Sequence, residues 1–227
     1  MTLQNKVVVI TGASKGLGKA LAQDFASRKS KLVLAARSKT ELEEVCKELG
    51  ALPVLTDVAQ EEDVVNLAAK AVKKFGKIDI WINNAGVRIK RTPIEEVDIK
   101  KFHEMVEINL FGTFYGSREA LKQMRKQKAG TIVNILSTSA SEGKPTASAY
   151  GASKMAAIGF TKFLRNEARD AGIKVISIFP GGLKTNFHQG QVPKDYDRFM
   201  PAARVAEKIV SNLEVPEPQE ELTILKV

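Results

Sequence analysis

Val7-Val8-Val9-Ile10-Thr11-Gly12-Ala13-Ser14-Lys15-Gly16-Leu17-Gly18 is the stretch on which the fold turns. Four apolar, mostly β-branched residues run without interruption, as a parallel strand buried on both faces does. A glycine-rich turn follows, and beyond it Leu17, Ala20, Leu21 and Phe25 recur on one face of a helix. Glycines let such a turn bend tightly and let its backbone approach a pyrophosphate seated on the helix N-terminus. The spacing is Gly-x3-Gly-x-Gly, not Gly-x-Gly-x-x-Gly. A P-loop is excluded, because Gly18-Lys19 would require glycine where Ala13 stands and Ser or Thr where Ala20 stands. A turn of this kind also serves helix packing alone. Its position directly after the first strand favours the nucleotide.

Outward from this unit, Lys31–Ala35, Leu52–Leu55, Ile78–Ile82, Thr131–Leu136, Lys174–Phe179 and Leu222–Leu225 read as further strands, short and nearly continuously apolar. Between them the period is helical. Val64, Leu67, Ala68, Ala71, Val72 and Phe75 share a face, and longer helices are expected from Ile99 to about Lys128, Ala149 to Arg169 and Ala202 to Asn212. Strands alternating with helices imply βαβ units and one parallel sheet covered on both faces. Seven strands fall short of the eight of a TIM barrel, whose phosphate site also lies late in the chain. A single α/β domain over residues 1–227 with a doubly wound sheet is expected. Residues 185–201, with Gly190 and Pro193, lack periodicity and read as a short substrate lid.

Composition narrows the partners. With 227 residues, 44% hydrophobic and 27% charged, the chain is neither disordered nor fibrous. Thirty-five Lys and Arg against 26 Asp and Glu give a net charge of +9, which favours anionic partners without choosing among them. The basic residues are spread along the chain rather than interleaved with aromatics, which argues against nucleic acid. The single cysteine, Cys46, excludes an internal disulfide and a Cys-based zinc site, and His103 and His188 lack partners at metal-ligand spacing, so no metal is expected. No run approaches the roughly 20 apolar residues of a membrane span. A soluble, cytoplasmic protein is expected.

The chemistry gathers at the carboxyl ends of the strands. Dinucleotide folds place a ribose-selecting residue about 20 positions past the glycine turn. There the second strand ends Ala35-Ala36-Arg37-Ser38, with no acid to bond a 2′-hydroxyl. Arg37 instead suits a 2′-phosphate, and Lys15 adds a second cation, so NADP(H) is expected over NAD(H). Tyr150 and Lys154 lie four apart at a helix start, on one face. A cation beside a phenol lowers its pKa from about 10, and a phenol so tuned exchanges a proton at moderate pH. Ser137 ends the preceding strand, where its hydroxyl can bond a carbonyl oxygen as negative charge develops on it. A Tyr/Lys pair alone is common; its combination with the cofactor turn is not.

These residues together resemble the short-chain dehydrogenase/reductase family. Thr11 to Gly18, Asn83-Asn84-Ala85-Gly86, Asn109, Ser137, Tyr150-x3-Lys154 and Pro180-Gly181-x3-Thr185 match its motifs in order and spacing across essentially the whole chain. The resemblance, to 3-oxoacyl-[acyl-carrier-protein] reductase-like and small carbonyl reductase members, implies a Rossmann-type seven-stranded parallel sheet and NADPH-dependent reduction of a carbonyl on a small-molecule substrate. It implies Tyr150 as general acid/base, Lys154 on the nicotinamide ribose, Ser137 on the substrate carbonyl and Asn109 positioning a relay water. Asp57 and Val58 would meet the adenine, and Asn84, Ala85 and Gly86 would line the adenosine side. Pro180, Gly181, Leu183 and Thr185 would face the nicotinamide, with Gly12, Ser14, Gly16, Leu17 and Gly18 on the phosphates. Asn109 also has a plainer reading, a polar kink or a packed hydrogen bond. A homodimer or homotetramer through two long helices is implied as well. The alternative is a non-catalytic NADP(H)-binding sensor or scaffold. Val87-Arg88-Ile89-Lys90-Arg91 follows the Asn-Asn-Ala-Gly turn; its cations either recognise an acidic substrate or carrier or are solvated loop charges.

Overall fold

The computed structural model describes residues 2–140, 142–185, 187 and 196–226. Its elements follow in chain order: β1 (Val7–Thr11), α1 (Gly16–Ser27), β2 (Lys31–Ala36), α2 (Lys39–Leu49), β3 (Leu52–Leu55), α3 (Glu61–Phe75), β4 (Ile80–Asn83), α4 (Ile99–Val106), α5 (Gly112–Gln127), β5 (Gly130–Ile135), α6 (Ser148–Arg169), β6 (Ile173–Pro180), β7 (Leu183–Lys184), β8 (Met200–Pro201), α7 (Ala202–Glu214) and β9 (Glu221–Ile224). The seven-stranded sheet runs β3-β2-β1-β4-β5-β6-β9, every pair parallel. Strand order reverses between β1 and β4, which opens a crevice at their carboxyl ends. This is the doubly wound Rossmann-type fold that the alternation implied.

Period-two alternation divides each strand between two cores. Val8 and Ile10 of β1 join Leu32 and Leu34 under α1, α2 and α7, where Leu21, Phe25, Leu42 and Ile209 are buried. Val9 turns the other way, with Val33, Trp81, Ile132 and Val175, toward Leu67 of α3, Met124 of α5 and Leu164 of α6. On this second face a polar chain crosses the apolar core. The Trp81 indole donates to Asn83 Oδ1 at 2.8 Å, Asn83 Nδ2 donates to Ser117 Oγ at 2.9 Å and Asn134 Oδ1 at 2.8 Å, and Asn134 Nδ2 donates to Thr161 Oγ1 at 3.0 Å. Each buried amide thus has its partners, which is what makes them tolerable there. Gly116 makes room, since a Cβ on it would lie 2.1 Å from Asn83 Oδ1.

Three features depart from the periodicity. The helix expected from Ile99 to about Lys128 is broken by a π-helical segment, Glu107–Phe111, that separates α4 from α5. Strand β5 ends at Ile135, so Ser137 lies two residues beyond it, although Leu136 N–H still donates to Ile178 C=O at 2.8 Å. The stretch read as a lid begins and ends in order. Leu183 and Lys184 pair with Met200 and Pro201 in a small second sheet, a pairing too short to leave a period in the sequence. His188 and most of the lid lie outside the described residues. Among the described residues no helix is long and apolar enough to cross a membrane.

Candidate active site

The glycine turn is built as its residue types require. Gly12 and Gly16 hold φ of +64° and +57°, the left-handed region that favours glycine. Gly18 is needed for space, because a Cβ on it would sit 2.2 Å from the Gly12 carbonyl oxygen. Helix α1 begins without a side-chain cap and without an acid in its first turn. Its first N–H donors therefore face the turn with no side-chain acceptor, which fits a phosphate. The turn is fastened to the end of β4. Thr11 Oγ1 accepts from the backbone N–H groups of Asn84 and Ala85, both at 3.1 Å, and Asn84 Nδ2 donates to Thr11 C=O at 2.8 Å and to Gly12 C=O at 3.2 Å.

One cleft of about 930 Å³ runs from this turn along the carboxyl ends of the strands, a volume in the range of cofactor sites. It is lined by every residue expected to hold the cofactor: Gly12, Ser14, Lys15, Gly16, Leu17, Gly18, Arg37, Asp57, Val58, Asn84, Ala85, Gly86, Tyr150, Lys154, Pro180, Gly181, Leu183 and Thr185. Ser137 lines it too. Arg37, at the end of β2, is exposed and stands 3.8 Å from Asp57. The sequence reading missed Ser38 and Glu41 at this end, and Phe187, Phe199 and Leu225 at the other. Glu41 lies one turn into α2, where its carboxylate accepts from Ser14 Oγ at 3.5 Å. Phe199 follows from β7–β8 pairing, which seats its ring against Gly182.

Asn109 stands apart. It is fully buried and does not line the cleft. Its Oδ1 accepts from Val87 N–H at 2.9 Å, and its Nδ2 donates to Val87 C=O at 2.9 Å and to Ser153 Oγ at 3.0 Å. Ser153 Oγ in turn donates to the Tyr150 carbonyl at 2.8 Å. The packed hydrogen bond is present, within the π-helical segment that interrupts the helix. The side chain is spent on fixing the Val87 backbone and the Ser153 hydroxyl, and the Asn109 backbone C=O accepts from Thr113 Oγ1 at 2.9 Å.

Ser137, Tyr150 and Lys154 converge at the far end of the cleft. The Ser137 hydroxyl hydrogen-bonds the Tyr150 phenol, and Ser139 N–H donates to Ser137 Oγ at 3.2 Å. Burial raises the phenol above its ordinary value, while the Ser137 hydrogen bond and the Arg88 charge pull it back down. Lys154 shares the cleft with Tyr150; its ammonium donates to Ile135 C=O at 3.0 Å and is pushed down to about 8 by burial.

A family model described as short chain dehydrogenase matches residues 6–195. The chain belongs to the short-chain dehydrogenase family. It is an oxidoreductase of that family, and similarity extends beyond the matched motifs. An uncharacterized oxidoreductase of Staphylococcus saprophyticus is 36% identical over 189 residues, 81% of this chain and 80% of that one. One of Staphylococcus aureus is 34% identical over 217 residues, 94% of this chain and 93% of its own length. Among solved structures, 3-ketoacyl-(acyl-carrier-protein) reductase from Brucella melitensis complexed with NADH superposes with a TM-score of 0.91 at 30% identity, over 98% of this chain and 97% of that one. The alcohol dehydrogenase from the archaeon Thermococcus sibiricus complexed with 5-hydroxy-NADP gives 0.88 at 28% identity, over 99% and 97%.

The buried lysine leaves a thermodynamic mark. Lys154 titrates near 8 when folded and near 10.5 when unfolded. Between these values the unfolded chain holds a proton that the folded chain has released, so stability rises with pH; below about 8 the penalty of burying the charge is complete. Lys154→Met removes this dependence. In urea unfolding, the wild-type protein is expected to gain roughly 2–3 kcal/mol on Lys154→Met between about pH 7 and about pH 10. A difference that stays flat across that window contradicts the assignment.

Proposed function

We propose that this short-chain dehydrogenase family member reduces a ketone, aldehyde or 3-oxoacyl carbonyl to an alcohol with NADPH. The observation that carries the reading is the meeting of Ser137, Tyr150 and Lys154 in the same cleft as the glycine turn. NADPH bound there supplies the hydride for the carbonyl carbon. The carbonyl π pair then moves to oxygen, which takes the Tyr150 proton, and an alcohol results. Ser137 orients the carbonyl by hydrogen bonding as charge develops on its oxygen. Lys154 holds the ribose hydroxyls, while Gly12, Ser14, Gly16, Leu17 and Gly18 take the phosphates on the α1 N-terminus. Asp57, Val58, Asn84, Ala85 and Gly86 line the adenosine side, and Pro180, Gly181, Leu183 and Thr185 the nicotinamide side. Asn109 serves as a positioning residue through Val87 and Ser153.

The preference for NADPH rests on Arg37 and Lys15 and on the absence of an acid at the end of β2. The similar solved structures carry NADH in one case and 5-hydroxy-NADP in the other, so they support a nicotinamide cofactor without choosing its phosphate. Self-association is supported by exposed apolar side chains: Phe111 just ahead of α5, Phe114 on α5, and Met155 and Phe163 on α6 are 39%, 38%, 50% and 74% exposed. Patches of this kind mark interaction sites.

Tyr150→Phe is expected to lower kcat by roughly a hundred- to ten-thousand-fold, with NADPH affinity by fluorescence titration nearly unchanged. Turnover at the wild-type rate in that variant sinks the reaction. For Arg37→Asp, the ratio of kcat/KM with NADPH to that with NADH should fall by about tenfold or more; an unmoved ratio assigns the phosphate elsewhere. Sedimentation velocity should find a dimer or tetramer, and Phe163→Asp should shift it toward monomer. A monomeric wild type refutes the association.

A further inference from the structure

The end of β2 carries no acid, but the fold brings one to the same place from the next helix. Helix α2 starts at Lys39, directly past Arg37 and Ser38, so its first turn borders the cleft. Glu41 lies in that turn and lines the cleft with Ser14, Arg37 and Ser38. Its carboxylate accepts from Ser14 Oγ at 3.5 Å, a contact that bridges α2 and the glycine turn. Asp57 is a second acid at this end. Its Oδ1 accepts from Ala59 N–H at 3.1 Å, and its Oδ2 stands 3.8 Å from Arg37 Nη1. Lys15 and Arg37 therefore share this end of the cleft with two carboxylates. Asp57 is tied to its own loop and faces Arg37, whereas Glu41 is exposed and takes its hydrogen bond from a neutral hydroxyl.

The two nicotinamide cofactors meet such a carboxylate differently. A ribose 2′-hydroxyl has a proton to donate, and a carboxylate that accepts it is what selects NADH in dinucleotide folds. A 2′-phosphate carries up to about two negative charges and strong acceptor oxygens. Beside Glu41 it is repelled, and it must compete with that carboxylate for the Ser14 hydroxyl. We propose that Glu41 is a specificity-determining residue that opposes Arg37: it accepts from the 2′-hydroxyl of NADH and repels the 2′-phosphate of NADPH. The margin between the two cofactors is then set by a contest between one cation and one acid on either side of the β2–α2 junction. This rests on the reading of the cleft as an NADPH site and names what limits that preference.

Binding separates this contest from turnover. Fluorescence titration gives Kd for NADPH and for NADH with the wild-type protein and two variants. Glu41→Ala removes both charge and acceptor, and it should tighten NADPH and weaken NADH by about threefold each, moving the ratio of the two Kd values by about tenfold. Glu41→Gln removes the charge and keeps an acceptor, so it should retain the NADPH gain with a smaller NADH loss. The NADPH gain should shrink at about 1 M salt, where charges are screened beyond about 3 Å. A ratio unmoved by Glu41→Ala overturns the assignment and leaves the cofactor reading intact. So does an equal shift of both cofactors in one direction, which is what a purely structural role in α2 would give. If the wild-type protein binds NADH more tightly and Glu41→Ala moves the ratio toward NADPH, the NADPH preference fails and the assignment of Glu41 stands. Binding of neither cofactor by the wild-type protein overturns both.

Discussion

Asn109 offers an acceptor and two donors, and Val87 and Ser153 take all of them. Through Val87 it fixes the chain that leaves β4, and through Ser153 it fixes the turn of α6 that carries Tyr150. At the other end of that same exit, Thr11 and Asn84 bind it to the glycine turn. Two sets of hydrogen bonds, joined by the backbone from Asn84 to Val87, therefore run from the phosphate end of the cleft to the backbone of Tyr150. A buried carboxamide left unpaired would cost on the order of 1–3 kcal/mol, which holds Asn109 to these partners. The π-helical segment around Asn109 belongs to the same construction, since π-bulges commonly accompany functional sites.

Most of this architecture was legible in the sequence because burial leaves a period. The seven strands of the main sheet are near-continuous apolar runs, and helices such as α3 repeat Val64, Leu67, Ala68 and Ala71 on one face. The glycines of the turn are also legible, since Gly12 and Gly18 are dictated by φ and by space. What the sequence hid is cooperative. Asn109 marks a polar kink or a packed hydrogen bond within Glu107–Phe111, but nothing in the segment announces its π-helical form. The pairing of β7 with β8 is two residues long and has no period to read. Glu41 enters the cleft only because α2 begins directly after β2.

The electrostatics of the proton donor show a similar division. The spacing of Tyr150 and Lys154 on one helix face holds in the fold, yet spacing says nothing of burial. Lys154 is 5% exposed and gives its hydrogen bond to a backbone carbonyl, so burial dominates its titration. The Arg88 charge that opposes the rise of the Tyr150 phenol comes from the loop after β4, where Asn109 holds both backbone groups of Val87. A net charge of +9 thereby gains local content: Lys15 and Arg37 stand at one end of the cleft, and Arg88 and Arg91 at the other.

A reductase must both bind and oxidise NADPH in this cleft. The direct measurement follows NADPH absorbance when the protein is mixed with a panel of ketones, aldehydes and oxo acids, alongside a titration of NADPH without any carbonyl. Loss of absorbance with at least one carbonyl, yielding the matching alcohol in equal amount, is the predicted result. Saturable NADPH binding with no oxidation by any member of the panel contradicts it and makes the protein a cofactor-binding sensor or scaffold.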